Sequence, residues 1–199
     1  MSSSLRAIEK KVALRKQVYK TVLGSPFVNE AHMWPRVQDQ AVVLELLKGT
    51  VLNKCVHLQG VERGQWPLDV ATDYNEIVKL LGAAGGPQEL DAILFVCPRD
   101  SGIPPVLLQQ VPLMCYTSRG TVTLVQLPQG SHKLLLAEPL YCKEGLLLVH
   151  CNDKLDGKFV AAVRDKTDPL RFPWLDGIAY QRTDLKLLKT TAPLKRKQK

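Results

Sequence analysis

Ala92-Ile93-Leu94-Phe95-Val96-Cys97 is the stretch that decides the fold. It is bounded by Asp91 on one side and Pro98-Arg99-Asp100 on the other. A strand with one wet face would alternate polar and apolar residues. An unbroken apolar run instead predicts a central strand buried on both faces. Such a strand needs a covering layer on each side. Further strands are predicted at residues 122–127, as a second central strand, at 145–151, and as a short piece at 55–58. Helical spacing of apolar residues appears at 41–48, 73–81, 104–116, 131–137 and 157–164, with Pro112 expected to kink or interrupt the third of these. The alternation predicts an α/β fold: a three-layer α/β/α sandwich around a mixed central sheet. No internal repeat is visible.

Composition sets outer limits. The chain has 199 residues, 45% of them hydrophobic, enough for one sizeable core with appendages. No apolar run approaches the roughly 18 residues of a membrane span, and Met1-Ser2-Ser3-Ser4-Leu5-Arg6 is not followed by a signal-peptide core. These features predict a soluble, intracellular protein without a membrane partner. The five cysteines (Cys55, Cys97, Cys115, Cys142, Cys151) are odd in number and widely spaced. Neither they nor His32, His57, His132 and His150 show zinc-ligand spacing, so buried free thiols in a reducing compartment are expected.

The net charge of +8 is unevenly placed. Arg6, Lys10, Lys11, Arg15, Lys16 and Lys20 crowd the first twenty residues, and Lys186, Lys189, Lys195, Arg196, Lys197 and Lys199 the last fourteen. The stretch between them is slightly acidic. Basic arms on a near-neutral body suit nucleic-acid phosphates; Lys195-Arg196-Lys197-Gln198-Lys199 also fits a nuclear-import signal. Leu5, Ile8, Val12 and Tyr19 form a stripe that predicts a helix over residues 4–22. The C-terminal arm, with Leu185, Leu187 and Leu188 among lysines, reads as an extended tail that orders on a partner. The organisation expected is a basic helix and Trp-Pro linker (1–37), an RNA-binding α/β/α domain (38–166) and an extended basic tail (167–199).

Thr72-Asp73-Tyr74-Asn75-Glu76-Ile77-Val78-Lys79-Leu80-Leu81-Gly82 carries the functional signal. Asp73 and Glu76 have capping-box spacing, and Ile77, Leu80 and Leu81 face a core. Asn75, Glu76 and Lys79 then stand exposed at a helix start, where free N–H groups favour phosphate. A carboxylate only accepts hydrogen bonds, which suits the N–H donors of guanine; Lys79 suits a phosphate or the O6/N7 edge. The alternative is that Glu76 only caps the helix. The glycines at 82–86 lack the Lys-Ser/Thr of a P-loop and read as a helix end. No nucleophile stands with a base, and the acidic pairs Asp153/Asp156 and Asp165/Asp168 have no histidine nearby. Trp34, Trp66 and Trp174 each neighbour a proline, which places them in loops outside the sandwich core. With Phe172, Leu187 and Leu188 they are candidate protein contacts; the alternative for the tryptophans is that each loop folds back and covers its own core.

The helix start resembles the motif Gly-x-Asn-Glu-x-x-Lys of the kink-turn-binding family of ribosomal and small nucleolar RNA proteins, on Asp73, Tyr74, Asn75, Glu76 and Lys79. That resemblance implies contact of Tyr74, Asn75, Glu76 and Lys79 with sheared guanine–adenine pairs. It also implies a second RNA contact from the loop before the last strand, Ala137-Glu138-Pro139-Leu140. Asp73 stands where the family has glycine, Leu80-Leu81 replaces a charged pair, and the preceding loop is long.

Almost the whole chain also resembles the yeast Pop subunit family shared by ribonuclease P and ribonuclease MRP. The resemblance runs through Asn29-Glu30-Ala31-His32-Met33-Trp34-Pro35-Arg36-Val37, Leu107-Leu108-Gln109-Gln110, Val125-Gln126-Leu127-Pro128, Phe172-Pro173-Trp174-Leu175 and Leu187-Leu188-Lys189-Thr190-Thr191. It implies a non-catalytic nuclear and nucleolar protein that braces ribonuclease P RNA and ribonuclease MRP RNA and binds other subunits. It implies no small-molecule ligand and no cofactor of the chain's own; magnesium is expected on the RNA. A ribosomal or small nucleolar kink-turn protein and a small α/β enzyme are the competing readings.

Overall fold

The structure, a computed structural model, describes residues 15–23, 33–58, 60–82, 89–137, 140–172, 175, 177 and 185–193. These fall into two compact units, a two-stranded ribbon and an α/β body.

In the body, β3 (Asp91–Val96) is central, as its sequence predicts. The sheet order is β2-β5-β3-β4, with β2 at Val70–Ala71, β4 at Thr121–Gln126 and β5 at Leu146–His150. β4 runs parallel to β3, whereas β5 is antiparallel to both β3 and β2, so the sheet is mixed. The expectation that residues 122–127 form a second central strand is corrected: β4 is an edge strand. Its Thr121 is exposed, and Val122 and Thr123 are half-buried. The inner position belongs to β5, whose Leu146-Leu147-Leu148-Val149 is wholly buried.

Period-2 alternation sends the β3 side chains to two cores. Ile93 and Phe95 pack with Val43, Leu47, Val51 and Cys55, and with Phe159 and Val163. The former group comes from α1 (Gln40–Leu47) and its continuation, a π turn at Lys48–Leu52 followed by Asn53–Cys55. The latter pair comes from α6 (Gly157–Asp165). Ala92, Leu94 and Val96 pack with Ile77 and Leu81 of α2 (Tyr74–Gly82), Leu108 of α3 (Pro105–Leu108), and Val111 and Cys115 of α4 (Val111–Thr117). Pro112 interrupts the helical stretch by sitting in the first turn of α4, where its missing N–H costs no hydrogen bond. The short α5 (His132–Leu135) completes the first core through Leu135. Arg164 of α6 fastens the sheet edge, donating to the Asp91 carboxylate and, at 3.3 Å, to Thr123 Oγ1.

Two local expectations fail for physical reasons. Residues 55–58 are not a strand: Cys55 ends the long first helix, and the following turn is closed by Leu58 N–H on the Cys55 carbonyl. The isolated β-branched and apolar residues there carried no period of their own. The basic helix expected at 4–22 is replaced, over its described part, by β1 (Arg15–Leu23). β1 pairs antiparallel with β6 (Leu185–Pro193), so the expected extended C-terminal tail is, over these residues, a paired strand. Val18, Tyr19, Thr21 and Val22 favour a strand, and the partner that decides the matter lies near the far end of the chain. Residues 1–14 and 194–199, with Arg6, Lys10, Lys11, Lys195, Arg196, Lys197 and Lys199, lie outside the described residues, as do 83–88 with most of the glycine-rich stretch.

The thiols are free, and Cys55, Cys97, Cys115 and Cys142 are buried. Burial pushes the thiols of Cys97, Cys115 and Cys142 up to about 12. Among the described residues no helix is long and apolar enough to cross a membrane.

Gly120 ends the approach to β4 at a point where a Cβ would lie 1.9 Å from the Leu90 carbonyl oxygen. Gly120→Ala is expected to destabilise the body by about 1–3 kcal/mol, the scale of overpacking. Gly157→Ala, which meets nothing within 4 Å, is expected to be near neutral. Paired thermal melts check the contrast.

Candidate RNA-contact site

The start of α2 is built from three separate segments. Asp73 caps the helix, its Oδ1 accepting the Glu76 N–H at 3.0 Å. Half of the capping box is therefore realised. The other half is not, because the Glu76 carboxylate turns to Arg63, with Oε2 3.6 Å from Nη1. Arg63 opens a 3-10 turn (Arg63–Gln65) and is itself steadied by donating to Thr72 Oγ1 at 2.8 Å.

The third segment is the loop before β5. Glu144 Oε2 accepts the Tyr74 N–H at 2.5 Å. This bond ties the helix start to the segment just before β5, beyond the Ala137-Glu138-Pro139-Leu140 stretch that the resemblance implied. Ala137 is exposed, and its carbonyl accepts the Tyr141 N–H at 3.3 Å. Glu138 and Pro139 lie outside the described residues. Tyr141 holds a left-handed backbone (φ 47°). It is 52% exposed, with Lys143 Nζ 4.9 Å from its ring centroid. Tyr74 itself is half-buried against the second core. Burial, and then the Glu144 charge, raise its phenol above the usual range.

The electrostatics differ from the sequence picture. Two of the helix-start N–H groups expected to face phosphate are already taken by carboxylates, Tyr74's by Glu144 and Glu76's by Asp73. Those acids also satisfy the positive end of the helix. Asn75 and Lys79 remain exposed, and among the described residues neither side chain has a hydrogen bond or ion pair. The outward surface thus offers an amide, an ammonium and the Arg63–Glu76 pair. Beside it lies a groove of about 280 Å³ lined by Arg63, Trp66, Glu76, Leu80 and His150.

Arg63 escaped sequence reasoning. Nothing periodic surrounds it, and its closeness to Glu76 exists only after the long loop folds back. Of the two readings of the tryptophan loops, Trp66 follows the one in which the loop covers its own core. Trp66 lies in the first core at 6% exposure, its Nε1 donating to the Val61 carbonyl at 3.0 Å. Phe172 is fully buried, with its ring 4.9 Å from that of Tyr116. Both side chains are packed into their own body. Trp34 is half-buried, and Trp174 lies outside the described residues. Leu187 and Leu188 are exposed on β6, and Lys16 and Lys20 on β1. Of Arg15 only the backbone is described.

The α/β body thus presents an amide, a carboxylate–guanidinium pair and a lysine around one helix start, tied through Glu144 to the segment before β5. Residues 14–177 match the family RNase P subunit Pop3. The chain is 48% identical over 201 residues, spanning 100% of both chains, to the Ribonucleases P/MRP protein subunit POP3 of Saccharomyces cerevisiae. It belongs to the RNase P subunit Pop3 family.

Because Glu144 and Asp73 each satisfy a helix-start N–H, Glu144→Ala and Asp73→Ala are each expected to cost about 0.5–2 kcal/mol of stability. Glu144→Ala should in addition raise amide exchange in both the helix start and the loop before β5, whereas Asp73→Ala should raise it only in α2. Hydrogen-exchange mass spectrometry on the two variants separates these patterns.

Proposed function

We propose that the chain is a non-catalytic RNA-binding subunit of ribonuclease P and ribonuclease MRP. In this role it braces the RNA for 5′ processing of precursor tRNA and for rRNA processing, in the nucleus and nucleolus. The observation that carries the reading is the joining of the α2 start to the loop before β5, with Asn75 and Lys79 left exposed beside them. Family membership supplies the particle.

Asn75 would read a base edge with its amide. Glu76 would accept from guanine N–H donors, with Arg63 holding its carboxylate in place, and Lys79 would meet a phosphate or O6/N7. Chemistry in such a particle belongs to the RNA and its bound magnesium. The chain's part is to hold a tertiary shape. The carboxylates of Asp73 and Glu144 occupy the helix mouth, which favours RNA presented through base edges over RNA presented through backbone alone.

Asn75→Ala or Glu76→Ala is expected to weaken binding of ribonuclease P RNA by about 1–3 kcal/mol, the scale of a bidentate base contact. If Glu76 only organises the helix, Glu76→Ala will lower the melting temperature and leave RNA selectivity intact. Binding and melting curves on the same preparations decide between them. Sequencing of RNA that co-purifies with the chain tests the particle. An isolated kink-turn recovered in place of ribonuclease P and MRP RNAs would favour the ribosomal or small nucleolar reading.

The purified chain is expected to show no ribonuclease activity. Magnesium-dependent cleavage of precursor tRNA that survives micrococcal nuclease treatment of the preparation would overturn this.

A further inference from the structure

The ribbon has a register, and the register sorts its side chains. Directly opposed residues of an antiparallel pair share a face. One face carries Tyr19, Leu23, Leu185 and Leu187, with Lys189 opposite Tyr19. The other carries Lys16, Lys20 and Lys186, with Lys20 opposite Leu188 and Lys186 opposite Val22. Lys20 and Lys186 are therefore diagonal neighbours, about 7–8 Å apart at the backbone. Lys16 continues the row four residues, or roughly 13 Å, back along β1.

Neither strand contains an acidic residue. Lys16, Lys20 and Lys186 are exposed, and among the described residues none of them has a carboxylate partner. Like charges at diagonal positions repel, so this arrangement works against the pairing that creates it. A two-stranded ribbon is also marginal in water without a covered face. The repulsion disappears if an anion lies along the lysine face.

We propose that the Lys16–Lys20–Lys186 face of the β1–β6 ribbon is an RNA-backbone contact, with Lys20 and Lys186 on neighbouring phosphates and Lys16 on one further along the backbone. The proposal rests on the reading of the chain as an RNA subunit. It differs from the sequence-level picture of two independent basic arms: here residues from near the two ends of the chain make one contact, and neither end supplies it alone. Tyr19, Leu23, Leu185 and Leu187 turn the other way and are not part of it.

The test uses the full chain and transcribed ribonuclease P RNA of Saccharomyces cerevisiae, with affinity followed against salt. Each neutralised phosphate contributes about 0.7–0.9 to the slope of log affinity on log salt. The triple variant Lys16→Gln, Lys20→Gln, Lys186→Gln is expected to flatten the slope by about 2–3 units. Over a fourfold rise in salt the wild type should then lose roughly 20–40-fold more affinity than the variant. The triple arginine variant at the same positions should restore the wild-type slope, which removes a folding defect as the cause. Asn75→Ala should lower affinity at every salt concentration with the slope unchanged. An unmoved slope in the glutamine variant, with wild-type binding intact, overturns the ribbon contact and leaves the RNA-subunit reading standing. So does release of the chain from its assembled particle by Tyr19→Ser with Leu187→Ser when the lysine variants have no effect, because the ribbon is then a protein contact. Failure of the wild type to bind RNA overturns both readings.

Discussion

β3 has no face left for water. Ala92 through Val96 are each 0% exposed, and alternate side chains belong to different cores. Removing either helical layer would strand half of the strand's apolar surface, at about 25 cal/mol for each Å² returned to solvent. This double burial fixes what stands around the site. α2 is held on one face through Ile77 and Leu81. β5 must lie beside β3, which places the turn before it, and with it Glu144, against the helix start. The placement of the candidate RNA-contact residues follows from the burial of a strand that touches none of them.

The helix start illustrates how a local rule can be satisfied by the wrong-seeming partner. Free N–H groups and the helix dipole attract an anion, and here the anions are the chain's own. Asp73 and Glu144 fill that role internally, so what the surface leaves exposed beside them is directional donors and acceptors. Arg63 fits the same logic. It neutralises Glu76 only partly, at 3.6 Å and half exposed, so the carboxylate stays near the surface with a defined orientation. An exposed pair of this kind adds little to stability; its value lies in orientation.

Most of the body was legible because its signals are local. The apolar run of β3, the helical spacing of Ile77 and Leu81, the cap at Asp73 and the break at Pro112 all lie within a few residues of the features they determine. What escaped depends on distant partners. β4 and β5 look alike as isolated runs, and only the pairing order puts one at the edge. The stripe Leu5, Ile8, Val12 and Tyr19 is compatible with a helix, yet over residues 15–23 the pairing with 185–193 overrides it. Trp66 beside Pro67 reads as a loop anchor until Val61 receives its N–H. The Arg63–Glu76 approach had no sequence period to announce it. The site was thus half visible: Asn75, Glu76 and Lys79 through their motif spacing, Arg63 and Glu144 only through the fold.

Val37 and Thr167 form a β-bridge, flanked by Gln38 N–H on the Lys166 carbonyl and Asp168 N–H on the Arg36 carbonyl. This small clasp lowers the entropic cost of closing the ribbon. Before the body folds, β1 must find a partner about 160 residues away. Afterwards the two ends of the body are pinned together, and the effective loop shrinks to about 30 residues, which lowers the closure penalty by roughly 1–1.5 kcal/mol. During synthesis β1 stays single until residues 185–193 have been made. Ribbon pairing can therefore report that the body between its strands is complete, and a chain truncated before β6 leaves β1 with an open edge, the form in which strands recruit unintended partners.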